Sequence, residues 1–316
     1  MEKKIKVGLS ACLAGDEVRY NKQGAADKFI LGPLSQYFEY VKVCPEMAIG
    51  MGTPRETVRI VEKEGGVRLT NKEGSNDYTD KMLEFSKKSA LDMSHQNLSG
   101  FIFKKGSPSC GAFRVKVYHE SGHTLRNDQS GFYAQQIKEK MPWLPLEEEG
   151  RLNDAAIRHN FISRVFAMQY WRDNVESKMT ANSLVDFHSR HKYMLMSYSQ
   201  TGLRKLGRLV ANKDKKPIGE VAYEYLMSFS ELTSKPPTRR KHSNVLYHLI
   251  GYFTQMLDDY DRSELVKLVE KYRKGLLPLV LPVSSINHYV KKFEIKYLIN
   301  QSYLEYPEDL CVLNKI

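Results

Sequence analysis

The chain has 316 residues and a formal charge of +11 at pH 7, from 48 Lys and Arg against 37 Asp and Glu. With 41% hydrophobic and 27% charged residues, its composition is that of a folded protein and excludes the disordered class. No apolar run approaches the ~18 residues that a membrane-spanning helix needs. Four cysteines in a chain of this length exclude the small disulfide-rich class.

The start of the chain carries one misleading signal, because Leu9-Ser10-Ala11-Cys12 resembles a lipoprotein cleavage box. The apolar stretch before Cys12 begins only at Val7, which is too short for the h-region of about 7–15 residues in a signal peptide. We therefore expect no membrane attachment and a cytoplasmic location, where reduced thiols can bind metals or act as nucleophiles.

The first half of the chain alternates short β-like runs with helical stretches. The apolar pattern predicts strands at residues 4–9, 40–43 and 100–103, and a hairpin where residues 58–61 and 67–69 flank Gly65-Gly66. It predicts helices over residues 77–95 and near 26–38, the latter interrupted at Gly32-Pro33. This alternation predicts a three-layer α/β domain with a largely parallel sheet.

The second half has helical periods throughout. Pro, Gly and Glu cluster at residues 142–150 and mark a boundary, so we expect an α/β domain over residues 1–146 and an all-α domain over residues 147–316. A first helix would follow Asn153 or Asp154. Further helices fit residues 183–198, 202–211, 219–232, 243–257, 263–274 and 285–301.

The positive charge is concentrated in this second half, where residues 151–316 hold 26 basic and 17 acidic side chains. Such an excess favours nucleic acid as the partner, although a merely solubilising surface charge has the same composition. Tyr193 is a candidate for stacking on an exposed base. His188 and His191 lie on one helical face, where we expect packing rather than metal binding. The candidate phosphate-binding side chains are all basic: Arg190, Lys192, Arg204, Lys205, Arg208, Arg239, Arg240 and Lys241.

Three of the four cysteines, Cys12, Cys44 and Cys110, each follow a predicted strand. The carboxyl ends of parallel strands share one edge of a sheet, so we expect these thiols to converge there. Three thiolates leave one position open on a zinc ion, or one iron of a [4Fe–4S] cluster without a protein thiolate. The alternative is that they are small buried side chains of the core. Cys311 lies outside the pattern and is expected to be an ordinary thiol.

The motifs SACLAG around Cys12, VCPE around Cys44 and KGSPSCG around Cys110 resemble, in this order, the thiouracil desulfidase family, TudS, over about residues 4–145. The resemblance implies a [4Fe–4S] cluster held by these three cysteines, with the fourth iron accepting sulfur from a thiolated base. It also implies Glu46 as the active-site acid and a catalytic role in the region of Ser107 and Ser109. The sequence does not decide between the two serines.

The helical half is similar to the YbgA-like domain, through FHSRHKY at residues 187–193, PTRRKHSNVLYH at 237–248 and YRKG at 272–275. A desulfidase domain fused to this domain resembles bacterial proteins that remove sulfur from 4-thiouridine in tRNA. We expect non-redox, hydrolytic C–S cleavage, in which Glu46 takes a proton from water as general base. The alternatives are a desulfidase of free thiobases or nucleosides, a noncatalytic RNA-binding protein with a redox-sensing cluster, and a zinc hydrolase.

Overall fold

The structure is a computed structural model that describes residues 4–212, 214–253, 255–305, 307 and 310. The chain divides into two compact units, Met1–Asp154 and Ala155–Ile316. The first unit extends beyond residue 146, because residues after this position form a strand of its parallel sheet.

The first unit contains two four-stranded sheets and four α-helices in its described part. Its elements in chain order are β1 (Ile5–Ser10), α1 (Lys28–Leu31), β2 (Phe38–Val43), α2 (Pro45–Ala48), β3 (Val58–Lys63), β4 (Gly66–Asn71), α3 (Thr79–Ser94), β5 (Gly100–Phe103), β6 (Val115–Tyr118), β7 (Thr124–Gln129), α4 (Phe132–Lys140) and β8 (Leu146–Glu148).

The first sheet is entirely parallel and has the strand order β2-β1-β5-β8. Strand β5 is buried along its whole length, and its Phe101 ring lies edge-on to Tyr133 of α4 with the centroids 6.1 Å apart. A side chain at Gly8 would place its Cβ 2.1 Å from the Phe101 ring, so β1 needs glycine at this position. The predicted α/β fold with a parallel sheet is confirmed.

The second sheet has the strand order β4-β3-β6-β7. It contains the predicted hairpin, in which β3 and β4 pair antiparallel on either side of Gly65, whose φ is +88°. Strands β6 and β7 and helix α4 lie in a part of the chain for which we predicted no elements. Strand β7 has the sequence TLRNDQ without buried positions, so it shows no apolar alternation by which a strand is recognised.

The described part of the second unit has helices and no strands, which confirms the predicted all-α class. Its α-helices are α5 (Ala155–Trp171), α6 (Ala181–Arg190), α7 (Lys192–Tyr198), α8 (Gln200–Ala211), α9 (Ile218–Thr233), α10 (Arg239–Ile250), α11 (Asp259–Arg273), α12 (Val280–Lys292) and α13 (Lys296–Ile299). The helix predicted over residues 183–198 is two helices, because the backbone leaves the helical conformation at His191 (φ −96°, ψ 9°).

Side-chain caps define several of these helix starts. Thr180, Ser199, Thr238 and Asp258 each accept a hydrogen bond from a backbone N–H in the first turn of the helix that follows. None of the described helices combines the length and the hydropathy needed to cross a membrane.

Candidate active site

The carboxyl ends of three parallel strands position the three cysteines. Cys12 lies in the 3-10 turn Ala11–Ala14 directly after β1, Cys44 caps α2 directly after β2, and Cys110 lies in the loop after β5. Because β2, β1 and β5 are neighbours in the sheet, these loops leave it at the same edge. The structure brings all three residues to one cavity of about 230 Å³.

Burial governs the chemistry of the three unbridged thiols. It raises the pKa of Cys12 to about 11, raises that of Cys44, and, together with Glu46, raises the pKa of Cys110 well above its ordinary value. Bound metal deprotonates such thiols, so a soft metal centre would supply the positive charge that three buried thiolates require.

The donor set therefore fits an iron–sulfur centre, which takes thiolate ligands. Within the described ranges, no group of three or more His, Cys, Asp or Glu side chains is arranged as it would be around a metal ion.

Four basic side chains also line this cavity: Arg19, Arg55, Lys104 and Lys105. Arg19 and Lys104 each lower the pKa of Cys12, partly opposing the effect of burial. Lys104 forms an ion pair with Glu149, and its backbone N–H donates to Ser10 Oγ at 3.0 Å. These two cations therefore offset part of the negative charge that a cofactor–thiolate assembly would place here.

Glu46, at the start of α2, has partners on both carboxylate oxygens. Ser109 Oγ donates to Oε1 at 2.5 Å, and Arg55 Nε donates to Oε2 at 3.0 Å. The Arg55 Nη2 group also forms an ion pair with Oε2. These contacts fix the carboxylate at the wall of the cavity that holds the thiols.

Arg55 is one of the site residues that the sequence did not predict, as are Arg19 and Lys104. Its side chain is 5% exposed, and it also donates to the carbonyl oxygens of Val18 at 2.8 Å and Gly52 at 2.7 Å. No spacing rule connects a loop arginine with a carboxylate nine positions earlier, and only the folded loop brings the two together.

The two candidate serines have different partners. Ser107 Oγ accepts backbone hydrogen bonds from Ser109 at 3.3 Å and from Cys110 at 3.1 Å, as a turn-forming serine does. Ser109 is 1% exposed, and its hydroxyl connects Ser107 with Glu46.

The loop that carries Ser109 and Cys110 packs tightly against Gly131, the residue before α4. A Cβ built at Gly131 would lie 2.5 Å from the Ser109 carbonyl oxygen and 2.9 Å from that of Pro108. The Gly131 N–H donates to the Gly111 carbonyl at 2.7 Å. This close approach holds the main chain of the loop against the start of α4.

The candidate RNA-binding residues of the second unit have different surroundings. Three are engaged within the unit: Arg190 pairs with Glu305, Arg239 donates to the Tyr272 carbonyl at 3.2 Å, and Lys241 donates to the Tyr198 carbonyl at 2.6 Å. Arg204, Lys205, Arg208 and Arg240 are exposed. Lys192 lies beside the rings of Tyr193 and Tyr297.

The structure corrects the prediction for Tyr193. This residue is 3% exposed and belongs to the apolar core of the second unit, so its ring cannot stack on a base. The two histidines of the same segment form internal hydrogen bonds: His191 Nδ1 to the Phe187 carbonyl at 2.8 Å, and His188 Nδ1 with the Tyr225 hydroxyl at 3.1 Å. Cys311 lies outside the described residues.

Comparison with known proteins finds relatives for both halves of the chain. Residues 7–149 match the family model described as 2-thiouracil desulfurase, and residues 192–307 match one described as a protein of unknown function (DUF1722). "Uncharacterized protein YbgA" of Escherichia coli is 34% identical over 143 residues, which are 45% of this chain and 85% of that protein. "Uncharacterized protein YbbK" of Bacillus subtilis is 33% identical over 109 residues, which are 33% of this chain and 72% of that protein.

One solved structure also resembles this chain, a "[4Fe-4S]-dependent thiouracil desulfidase TudS". It is 25% identical and covers 47% of this chain and 93% of its own, with a TM-score of 0.37.

Proposed function

The chain belongs to the family that joins a 2-thiouracil desulfurase domain to a YbgA-like helical domain, and from this premise we propose that it replaces the sulfur of a thiolated uracil by oxygen. One observation carries the proposal. Cys12, Cys44 and Cys110 line the same cavity as the hydrogen-bonded pair Glu46 and Ser109.

The proposed cofactor is a [4Fe–4S] cluster held by Cys12, Cys44 and Cys110, with one iron that lacks a protein thiolate. When bound, this cluster supplies a Lewis acid that accepts the soft sulfur of the substrate. The buried thiols need a cationic metal centre to become thiolates, and the nearby cations Arg19 and Lys104 offset part of the negative charge of the resulting cluster–thiolate assembly, which supports this cofactor.

The proposed reaction is hydrolytic. Water supplies the oxygen of the new C=O group and the sulfur leaves as hydrogen sulfide, so no electron donor or acceptor is consumed. Glu46 acts as general base through Oε1, because Arg55 occupies Oε2. We assign Ser109 rather than Ser107 as the acting serine, since its hydroxyl binds Glu46 while the Ser107 hydroxyl serves the turn.

The proposed substrate is 4-thiouridine in tRNA. The excess of nine positive charges in residues 151–316 supports a polyanionic partner, and exposed basic side chains such as Arg204, Arg208 and Arg240 are available to phosphates. A free thiobase or nucleoside would need none of this charge.

The test compares sulfide release from 4-thiouridine-containing tRNA and from free 2-thiouracil, using anaerobically purified protein whose iron and acid-labile sulfide are measured first. We expect about four irons and four sulfides per chain. Turnover of the tRNA should fall steeply between 50 and 200 mM salt, because phosphate contacts are screened, while turnover of any free base should not. Iron-loaded protein that releases no sulfide from either substrate would contradict the enzymatic function, and equal salt dependence would contradict the tRNA substrate.

A further inference from the structure

Two exposed tyrosine rings form a small aromatic surface on the helical unit. Tyr252, in the turn after α10, and Tyr297, in α13, are each 40% exposed. Their rings are near-parallel, with an interplanar angle of 20° and centroids 6.3 Å apart. We call this pair the tyrosine platform.

The buried Tyr193 holds the platform in place. Its hydroxyl donates to the Tyr252 hydroxyl at 2.8 Å, and its ring meets the Tyr297 ring edge-on with the centroids 6.5 Å apart. The exposed rings are therefore held by a core residue, so a ligand would lose little rotamer entropy by ordering them.

A cation lies next to the platform. Lys192 Nζ is 5.5 Å from the centroid of the Tyr297 ring and 5.4 Å from that of Tyr193. Among the described residues Lys192 forms no ion pair, unlike the nearby Arg190, which is paired with Glu305. Lys296, adjacent to Tyr297, is also exposed.

We propose that the tyrosine platform binds an unpaired base of RNA by stacking, with Lys192 contacting the adjoining phosphate. Exposed, rigid aromatic rings beside unpaired cations are the features that single-stranded nucleic acids recognise, since every base has a π-face and every link a negative charge. The net positive charge of residues 151–316 favours this partner over a cationic or neutral protein surface. The inference rests on the proposed action on tRNA, and it adds the site at which an unpaired nucleotide is held.

The test uses the full-length protein, a tRNA transcript, an oligouridylate, and a fully paired RNA duplex. A Tyr252→Ala/Tyr297→Ala variant should bind the tRNA and the oligouridylate about tenfold or more weakly, because a base–aromatic stack contributes ~1–3 kcal/mol. Its affinity for the duplex, and the slope of log Kd against log salt, should not change, because no charge is removed. Lys192→Gln should instead lower that slope by about one.

Two further variants make the result specific. Tyr260→Ala removes a tyrosine that is 73% exposed beside Asp259 and Asp261, and it should leave RNA binding unchanged. Tyr297→Trp keeps an aromatic surface, and its fluorescence should be quenched by oligouridylate but not by the duplex.

Unchanged affinity of the double variant for single-stranded RNA, or an equal loss of affinity for the duplex, would overturn the proposal that the tyrosine platform binds an unpaired base. Wild-type protein that binds no RNA would overturn both the platform and the proposed tRNA substrate. The double variant is expected to keep the iron content and the unfolding temperature of wild type. A loss of RNA binding that is accompanied by a lower unfolding temperature would contradict the assignment.

Discussion

Glu46 has a partner on each of its two carboxylate oxygens, and its role can be tested by a single substitution. Its Oε2 is held by Arg55, and its Oε1 receives the Ser109 hydroxyl. The carboxylate is thereby oriented without help from a substrate, which is the preorganisation that a general base requires.

Glu46→Gln should therefore retain iron and acid-labile sulfide but lose about 10²–10⁴-fold in kcat, because an amide cannot take a proton from water. The measurement is sulfide release by anaerobic protein of known iron content. Glu56→Gln is the matched control, since Glu56 lines the same cavity but binds Asn71 at 2.7 Å. Full activity of Glu46→Gln would remove Glu46 from proton transfer.

Substitutions of the two serines should have different effects, one on turnover and the other on stability. Ser109→Ala should lower kcat by about 10²-fold at unchanged iron content, because Glu46 Oε1 loses its hydrogen-bond donor. Ser107→Ala should instead cost about 1 kcal/mol of stability and reduce iron retention, because the N–H groups of Ser109 and Cys110 lose their acceptor. Iron content and kcat measured together decide the assignment, and the reverse pattern would transfer the catalytic role to Ser107.

At the scale of single elements, the basic run at the start of α10 is not one uniform patch. All three residues are exposed, but Arg239 and Lys241 donate to the main-chain carbonyls of Tyr272 and Tyr198, whereas no hydrogen bond or ion pair holds the Arg240 side chain among the described residues. Consecutive residues on a helix point about 100° apart, so three adjacent cations cannot all face one ligand.

Arg240→Gln is accordingly expected to lower the slope of log Kd against log salt for tRNA by about one and to leave stability unchanged. Arg239→Gln and Lys241→Gln should each destabilise the helical unit by about 1 kcal/mol, because each removes a hydrogen bond that joins α10 to a neighbouring segment. Thermal unfolding and binding at several salt concentrations distinguish these effects. Equal loss of tRNA binding in all three variants would instead indicate that Arg239, Arg240 and Lys241 form a single binding patch.

Strand β1 and the Cys12 turn after it were predictable, because the apolar alternation of the strand and the small residues of the turn, which ends at Gly15, are encoded within a few residues. Parallel pairing then brings Cys44 and Cys110 to the same edge, so the convergence of the thiols follows from fold class alone.

Contacts between distant loops were not predictable in the same way. The position of Arg55 against Glu46 depends on the path of a loop after α2, which no periodicity describes. The buried Tyr193 and the exposed Tyr252 are both tyrosines in helical segments, and only packing decides which ring faces solvent. Aromatic residues are therefore poor guides to a binding surface until the burial of each is known.

For the molecule as a whole, pH should act on the helical unit through buried imidazoles. Burial lowers the pKa of His191 and of His242 to about 3, against about 6.5 in an unfolded chain. His191 is next to Arg190 and bonds the Phe187 carbonyl, and His242 lies against Tyr303 and His159. The unfolded state therefore binds protons below about pH 6.5 that the folded state does not.

Burial also lowers the pKa of His159, to about 4. Stability should accordingly be full above about pH 6.5 and fall as the pH is lowered toward 4, by about 1.4 kcal/mol per pH unit for each of the three histidines. Urea unfolding of a Trp143→Phe variant measures this, because Trp171 then reports on the helical unit alone. His242→Gln should reduce the pH dependence by about a third, because His159 and His191 also stay neutral when buried. A stability of the helical unit that does not change between pH 7 and 5 would contradict the neutral, buried state of these rings.

Position 131 should tolerate no residue other than glycine. It ligates nothing and lies more than twenty positions after Cys110, yet even the methyl group of alanine would collide with the main chain of Ser109. A library randomised at this codon and selected for desulfidation should return glycine almost exclusively. In natural or designed variants with another residue at this position, the loop that carries Ser109 and Cys110 must have a different backbone conformation. The catalytic residues of such variants cannot be inferred from matching sequence motifs alone.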